Sequence, residues 1–277
     1  MVHGAKTARI ALLALLGILA VGGLRAALPG QAPPAQRQPV LVELFTSEGC
    51  SDCPPADALL SQIDSRQPVP GAEAIVLSEH VTYWDREGWR DPFSLDEMTE
   101  RQQEYARHFG LADVYTPQMV VDGSEEFVGS DARKLNAALT RAAATPKTPI
   151  AIADVHQAPD GSITFSVRAA DARFDAKASL FAAIAENATV SEVLRGENKG
   201  RTLHHVAVVR VLKEFGSGKA DGRALALAGS NLAPSAKSDS PLRLVVFLVD
   251  RRGGGVVGVA EQTVTPAASA KIEQSQK

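Results

Sequence analysis

"VELFTSEGCSDCPPADALL", Val42 to Leu60, decides how this chain is read. The stretch begins within a nearly continuous apolar run, "VLVELF" (Val40 to Phe45), the mark of a strand buried on both faces in an α/β sheet. After the turn "TSEGC", Ala56, Leu59, Leu60 and Ile63 recur at helical spacing. Cys50 therefore falls at a strand-to-helix junction, with Cys53 in or just before the first helical turn. Pro54 and Pro55 fit there because the first helical N–H groups have no intrahelical partner to lose. These are the only two cysteines in 277 residues. Three roles are open to them: a redox-active dithiol, half of a metal site, or a structural clip.

Working outward, Lys6 and Arg9 precede an uncharged run from Ile10 to Leu24, the pattern of an export signal, with cleavage expected after Gly22 or near Ala26. The signal is assigned to residues 1–26. A Pro- and Gln-rich linker follows over 27–37. Export implies a periplasmic or secreted protein, where disulfides persist. Membrane attachment is expected only through an uncleaved signal. A net charge of −3 and the lack of a basic stripe give no footprint for nucleic acid.

A second buried strand, "AIVLSE" (Ala74 to Glu79), follows at a distance that fits a βαβ crossover. A helix is expected from Ser94, with Glu97 completing a capping box and Gly110 supplying the stop. "TPQMVVDGSEEFVG" reads as a hairpin turning at Asp122-Gly123, and a third helix begins at Ser130 or Asp131. Beyond "TPKTP" helical patterns cease. Short runs such as "SITFSVRA", "HHVAVVRVL" and "LRLVVFLVD" then favour an antiparallel, sandwich-like β-rich domain over 147–266, before a tail at 267–277.

A thiol at a helix N-terminus sits where the dipole and unpaired N–H groups favour the thiolate. Cys50 is accordingly assigned attack and Cys53 resolution. Ser51-Asp52 between them, and Glu48 nearby, oppose that stabilisation and point to a weak oxidant: a reductase, isomerase or sensor. The C-terminal end of the second strand brings His80, Tyr83, Trp84 and Asp85 to the same edge, the place where α/β sheets bind ligands. Ser51, Asp52 and these four residues are expected to line the site. Soft thiolates with an imidazole, Cys50, Cys53 and His80, would suit copper or zinc, which is the alternative to a cofactor-free redox disulfide. In "RGENKGRTLHHVAVVR" (Arg195 to Arg210), His204 and His205 must point to opposite sheet faces. The polar turn carrying Glu197, Asn198 and Arg201 is expected either as plain structure or as a cover that limits access to the dithiol edge.

The fragments "VELFTSEGCSDCPPAD", "HVTYWDREGWRDPF", "YTPQMVVDG" and "GENKGRTLHHVAVVR" together resemble the exported bacterial proteins grouped as domain of unknown function 1223. That family is described as thioredoxin-like. The resemblance implies a thioredoxin-like α/β domain over 38–146 ahead of the β-rich domain. It also implies a cis proline at Pro117, next to Thr116, facing Cys50 and Cys53. The function so implied is thiol-disulfide exchange with a protein or small-thiol substrate and a separate redox partner. The alternatives are a copper- or zinc-handling binding protein and a scaffold whose disulfide is only a clasp.

Overall fold

A computed structural model describes Met1 and residues 37–171, 177–229 and 241–264. The export signal, nearly all of the linker, the tail and most of the loop 229–240 lie outside the described residues. The fold belongs to one compact unit, Gln36–Lys277.

The first strand, β1 (Gln38–Thr46), leads through the Cys50 turn into α1 (Pro54–Arg66), and β2 (Ala72–His80) runs parallel to β1. Cys53 is the N-cap of α1 and prolines occupy its first positions, as the local sequence demands. A 3-10 turn (Tyr83–Arg86) precedes α2 (Asp96–Phe109). That helix starts later than its capping-box signal suggested, because Ser94 Oγ donates to the Asp85 carboxylate and the Asp91 carbonyl instead of capping the helix. Gly110 closes α2 in the left-handed conformation (φ 69°). The hairpin of β3 (Gln118–Val121) and β4 (Glu125–Val128) turns at Asp122 and Gly123, both at positive φ, and α3 (Ala132–Ala143) is capped by the Asp131 carboxylate.

The strands after residue 149 are β5 (Ile150–Gln157), β6 (Ile163–Ala169), β7 (Ala178–Glu192), β8 (Thr202–Gly216), β9 (Asp221–Leu227), β10 (Leu242–Asp250) and β11 (Val256–Val264). They do not form a separate sandwich. Four of them join the first half of the chain in one eight-stranded mixed sheet, ordered β11-β10-β7-β8-β2-β1-β3-β4, while β5, β6 and β9 form a second, three-stranded sheet. The expected arrangement, a thioredoxin-like α/β domain followed by an independent antiparallel domain, is therefore wrong. The described chain is mainly β, with three α-helices, and its principal sheet crosses the boundary expected between residues 146 and 147.

The physical reason is visible in β7 and β10, which are buried on both faces. Leu180, Ala182 and Ile184 of β7, with Leu244, Val246 and Leu248 of β10, pack on the small sheet through Ile163, Phe165, Leu225 and Leu227. The alternate residues, Phe181, Ala183 and Ala185 with Val245 and Phe247, join the core built from β1, β2, α1 and α3. A sheet with apolar faces on both sides needs a layer against each.

Candidate functional site

Cys50 and Cys53 form a disulfide where β1 gives way to α1. Burial is nearly complete: Cys50 is 1% and Cys53 0% exposed, although Ser51 and Asp52 between them face solvent. The expectation of a reachable nucleophile is not met in this oxidised state. The cover comes from the turn between β7 and β8. Asn198 Nδ2 donates to the carbonyls of Glu48 (2.9 Å) and Cys50 (2.8 Å), and the Ser51 N–H donates to Glu197 Oε2 at 3.0 Å. The Ser51 side chain, together with that N–H, holds the Glu197 carboxyl below its usual range. Of the other residues singled out on this turn, Arg201 and His204 are exposed.

Behind the disulfide loop lies a buried ionisable cluster. Its members are Glu48, Asp57, His80, Asp91 and His205. His80 Nδ1 lies 2.7 Å from Asp91 Oδ2, which also accepts from the Glu48 N–H at 2.8 Å. Burial alone would raise the Asp91 carboxyl, but His80 and the N–H groups of Glu48 and Phe93 outweigh it and hold the carboxyl below its ordinary value. His205 meets the His80 ring edge to face, with centroids 4.7 Å apart. Its Nε2 is 3.3 Å from Glu48 Oε1, and its Nδ1 is 3.8 Å from Asp57 Oδ1, an ionic contact longer than a hydrogen bond. Desolvation opposes the imidazolium, yet Asp57 and Glu48 prevail and raise its pKa to about 10. Glu48 is further held by Trp89 Nε1 (2.8 Å) and Ser191 Oγ (3.1 Å). Its carboxylate is thus turned inward to His205, Trp89 and Ser191.

The structure does bring the Thr116–Pro117 segment to the same end of the molecule, and that peptide is cis. Trp84 Nε1 donates to Thr116 Oγ1 at 2.7 Å, while the same residue packs so closely on Gly49 that an added Cβ would lie 3.1 Å from Trp84 Cβ. A Cβ built on Gly129 would meet Pro117 at 3.0 Å and Ala56 of α1 at 3.1 Å. Tyr83 donates to Gln102 and packs with Trp84 against Phe45, Val81 and Tyr105. Burial lifts its hydroxyl to about 12. The carboxylate of Asp85 accepts from the Asp91 N–H and Ser94 Oγ, so it braces the loop. Among the described residues no three His, Cys, Asp or Glu side chains converge as a metal site requires. Cys50, Cys53 and His80 are therefore not assembled as ligands in this oxidised geometry.

Sequence reasoning missed Asp57 and Asp91, and it named Glu48 without its partner. The usable signal was Asp57 itself, a carboxylate four residues after Cys53 on the face that α1 buries.

A disulfide set at a strand-to-helix turn, covered by a distant polar turn and backed by buried charge, defines a β-rich disulfide protein. The chain belongs to the family described as protein of unknown function DUF1223, whose profile matches residues 41–249. Its fold is similar to the crystal structure of protein AGR_C_4864 from Agrobacterium tumefaciens (TM-score 0.61, 24% identity, 84% of this chain and 97% of that one). It is also similar to HBP35 of Porphyromonas gingivalis (TM-score 0.54, 11% identity, 87% and 81%). At these identities the likeness concerns the fold alone. No curated protein matches the chain.

Proposed function

We propose that this chain is an exported thiol-disulfide exchange protein whose Cys50–Cys53 bond is protected by the 195–201 turn and reacts once that turn is displaced. The observation that carries this is the cover itself. Asn198, Glu197 and the loop backbone make a few polar bonds over the disulfide, and such bonds are readily exchanged for water. A substrate thiolate attacks Cys50 Sγ, the S–S bond breaks, and its electron pair leaves on Cys53. A second substrate thiol then releases Cys50. In the opposite direction Cys50 attacks a substrate disulfide and Cys53 resolves the mixed disulfide, with the Thr116–Pro117 segment placed to align a protein or small-thiol substrate.

The test is a Cys53→Ala trap expressed in the native compartment, with and without Asn198→Ala. Mixed disulfides that are absent when Cys50 is also replaced, and that increase with Asn198→Ala, support exchange behind a cover. The near-complete burial of both sulfurs favours a second reading, a structural clasp. A wild-type disulfide that resists millimolar dithiothreitol in the folded protein and a trap that captures nothing would establish the clasp.

A further inference from the structure

We propose that Asp57, with His205 behind it, is the proton partner of Cys53 when the disulfide opens and closes. This rests on the exchange function above. The Asp57 N–H donates to the Cys53 carbonyl at 3.1 Å, so the two side chains lie one helical turn apart on one face of α1, and both are buried. Asp57 Oδ1 faces His205 Nδ1, and neither atom has a hydrogen-bond partner. Glu48 holds the other nitrogen of His205. His80, tied to Asp91, stands against the ring from β2, and Phe93 packs on it from the following loop. Arg210 lies over the Phe93 ring and pairs with Glu186.

A disulfide that serves only as a clip has no need of these groups, and burying them is costly. A dithiol does need them. When the S–S bond breaks, the electron pair stays on Cys53 Sγ, one helical turn from the Asp57 carboxylate on the buried face of α1. A proton passing from His205 Nδ1 through the Asp57 carboxylate to Cys53 Sγ leaves a neutral thiol and a neutral imidazole. Water restores the imidazole proton when the cover lifts. In the reverse direction the Asp57 carboxylate accepts the Cys53 proton as that sulfur attacks the mixed disulfide, and the substrate departs as a thiolate.

The experiment follows reduction of the oxidised protein by dithiothreitol from pH 6 to 9 through tryptophan fluorescence, with each rate expressed per dithiothreitol thiolate. Wild type is expected to give a nearly flat profile, because the proton is supplied internally. Asp57→Asn should slow reduction about 100-fold at pH 8, the usual scale of positioned proton transfer, and should make the rate climb toward acid. His205→Gln, which keeps a donor for Glu48, should reproduce that slope and carries the test if Asp57→Asn fails to fold by circular dichroism. The exposed Glu87→Gln should change neither rate nor slope. Uniform slowing with an unchanged pH profile overturns the assignment while leaving exchange intact. A wild-type disulfide that is never reduced overturns both.

Discussion

Asn198 and Cys50, 148 positions apart in the chain, are joined by a 2.8 Å hydrogen bond from the asparagine amide to the cysteine carbonyl. The same amide reaches the Glu48 carbonyl, so one side chain from the β7–β8 turn ties down the disulfide loop on either side of Gly49. Asn198→Ala should therefore expose the sulfurs. Each lost bond is worth about 1 kcal/mol, so reduction by dithiothreitol should accelerate tenfold or more. An unchanged rate in a folded variant would mean that the turn is not the barrier.

His205 makes stability depend on pH in a definite direction. Its folded pKa, about 10, stands above the unfolded value near 6.5, so the folded state holds a proton that the unfolded state has released. The contribution is full below about pH 6.5, declines as pH rises and is gone above about pH 10. Urea midpoints of the oxidised protein between pH 6.5 and 10 should fall, and the fall should be shallower in His205→Gln.

A second buried group separates two substitutions that look alike. Arg101 bonds Glu43 and Tyr105, lies 3.7 Å from Glu79 and stacks over the Phe181 and Phe247 rings. Burial, reinforced by Glu43 and opposed by Arg101, raises the Glu79 carboxyl well above its ordinary value and so favours its neutral form. Glu79→Gln should change stability by less than about 1 kcal/mol, since it replaces one neutral group by another. Arg101→Met, in contrast, strands the Glu43 charge and should cost about 3–5 kcal/mol. Denaturant titration of both variants measures the difference.

Phe247 stacks on Phe181 with centroids 5.3 Å apart and belongs to the core shared with β1, β2 and α1. Phe247→Ala should cost about 3–5 kcal/mol. Because both halves share that core, tryptophan fluorescence near the disulfide and circular dichroism should still report one transition. Two separated transitions would show that the halves fold independently.

Local chemistry made the elements legible. Pro54-Pro55, Gly110, Asp122-Gly123 and Asp131 each fix a boundary through backbone rules that need no tertiary context. Assembly was harder to read, because pairing between β8 and β2 depends on partners more than a hundred residues apart. A clue was present: "SLFAAIA" and "LRLVVFLVD" are nearly continuous apolar runs, which mark strands covered on both sides. Of the site, the cysteines and the covering turn could be seen in the sequence. The paired charges could not, since Asp57 meets His205, and Asp91 meets His80, only after the chain has folded.

β2 and β8 share a single register pair, Ser78 with Val208, and Ala207 beside it adopts a left-handed φ of 48° that is uncommon for alanine. Backbone hydrogen bonding is thus thinnest midway across the large sheet, and side chains such as His80 and His205 do much of the joining there. His80 and His205 thus fasten the two half-sheets and also form the underside of the disulfide loop, so a substitution that loosens that loop should loosen the seam between the half-sheets as well.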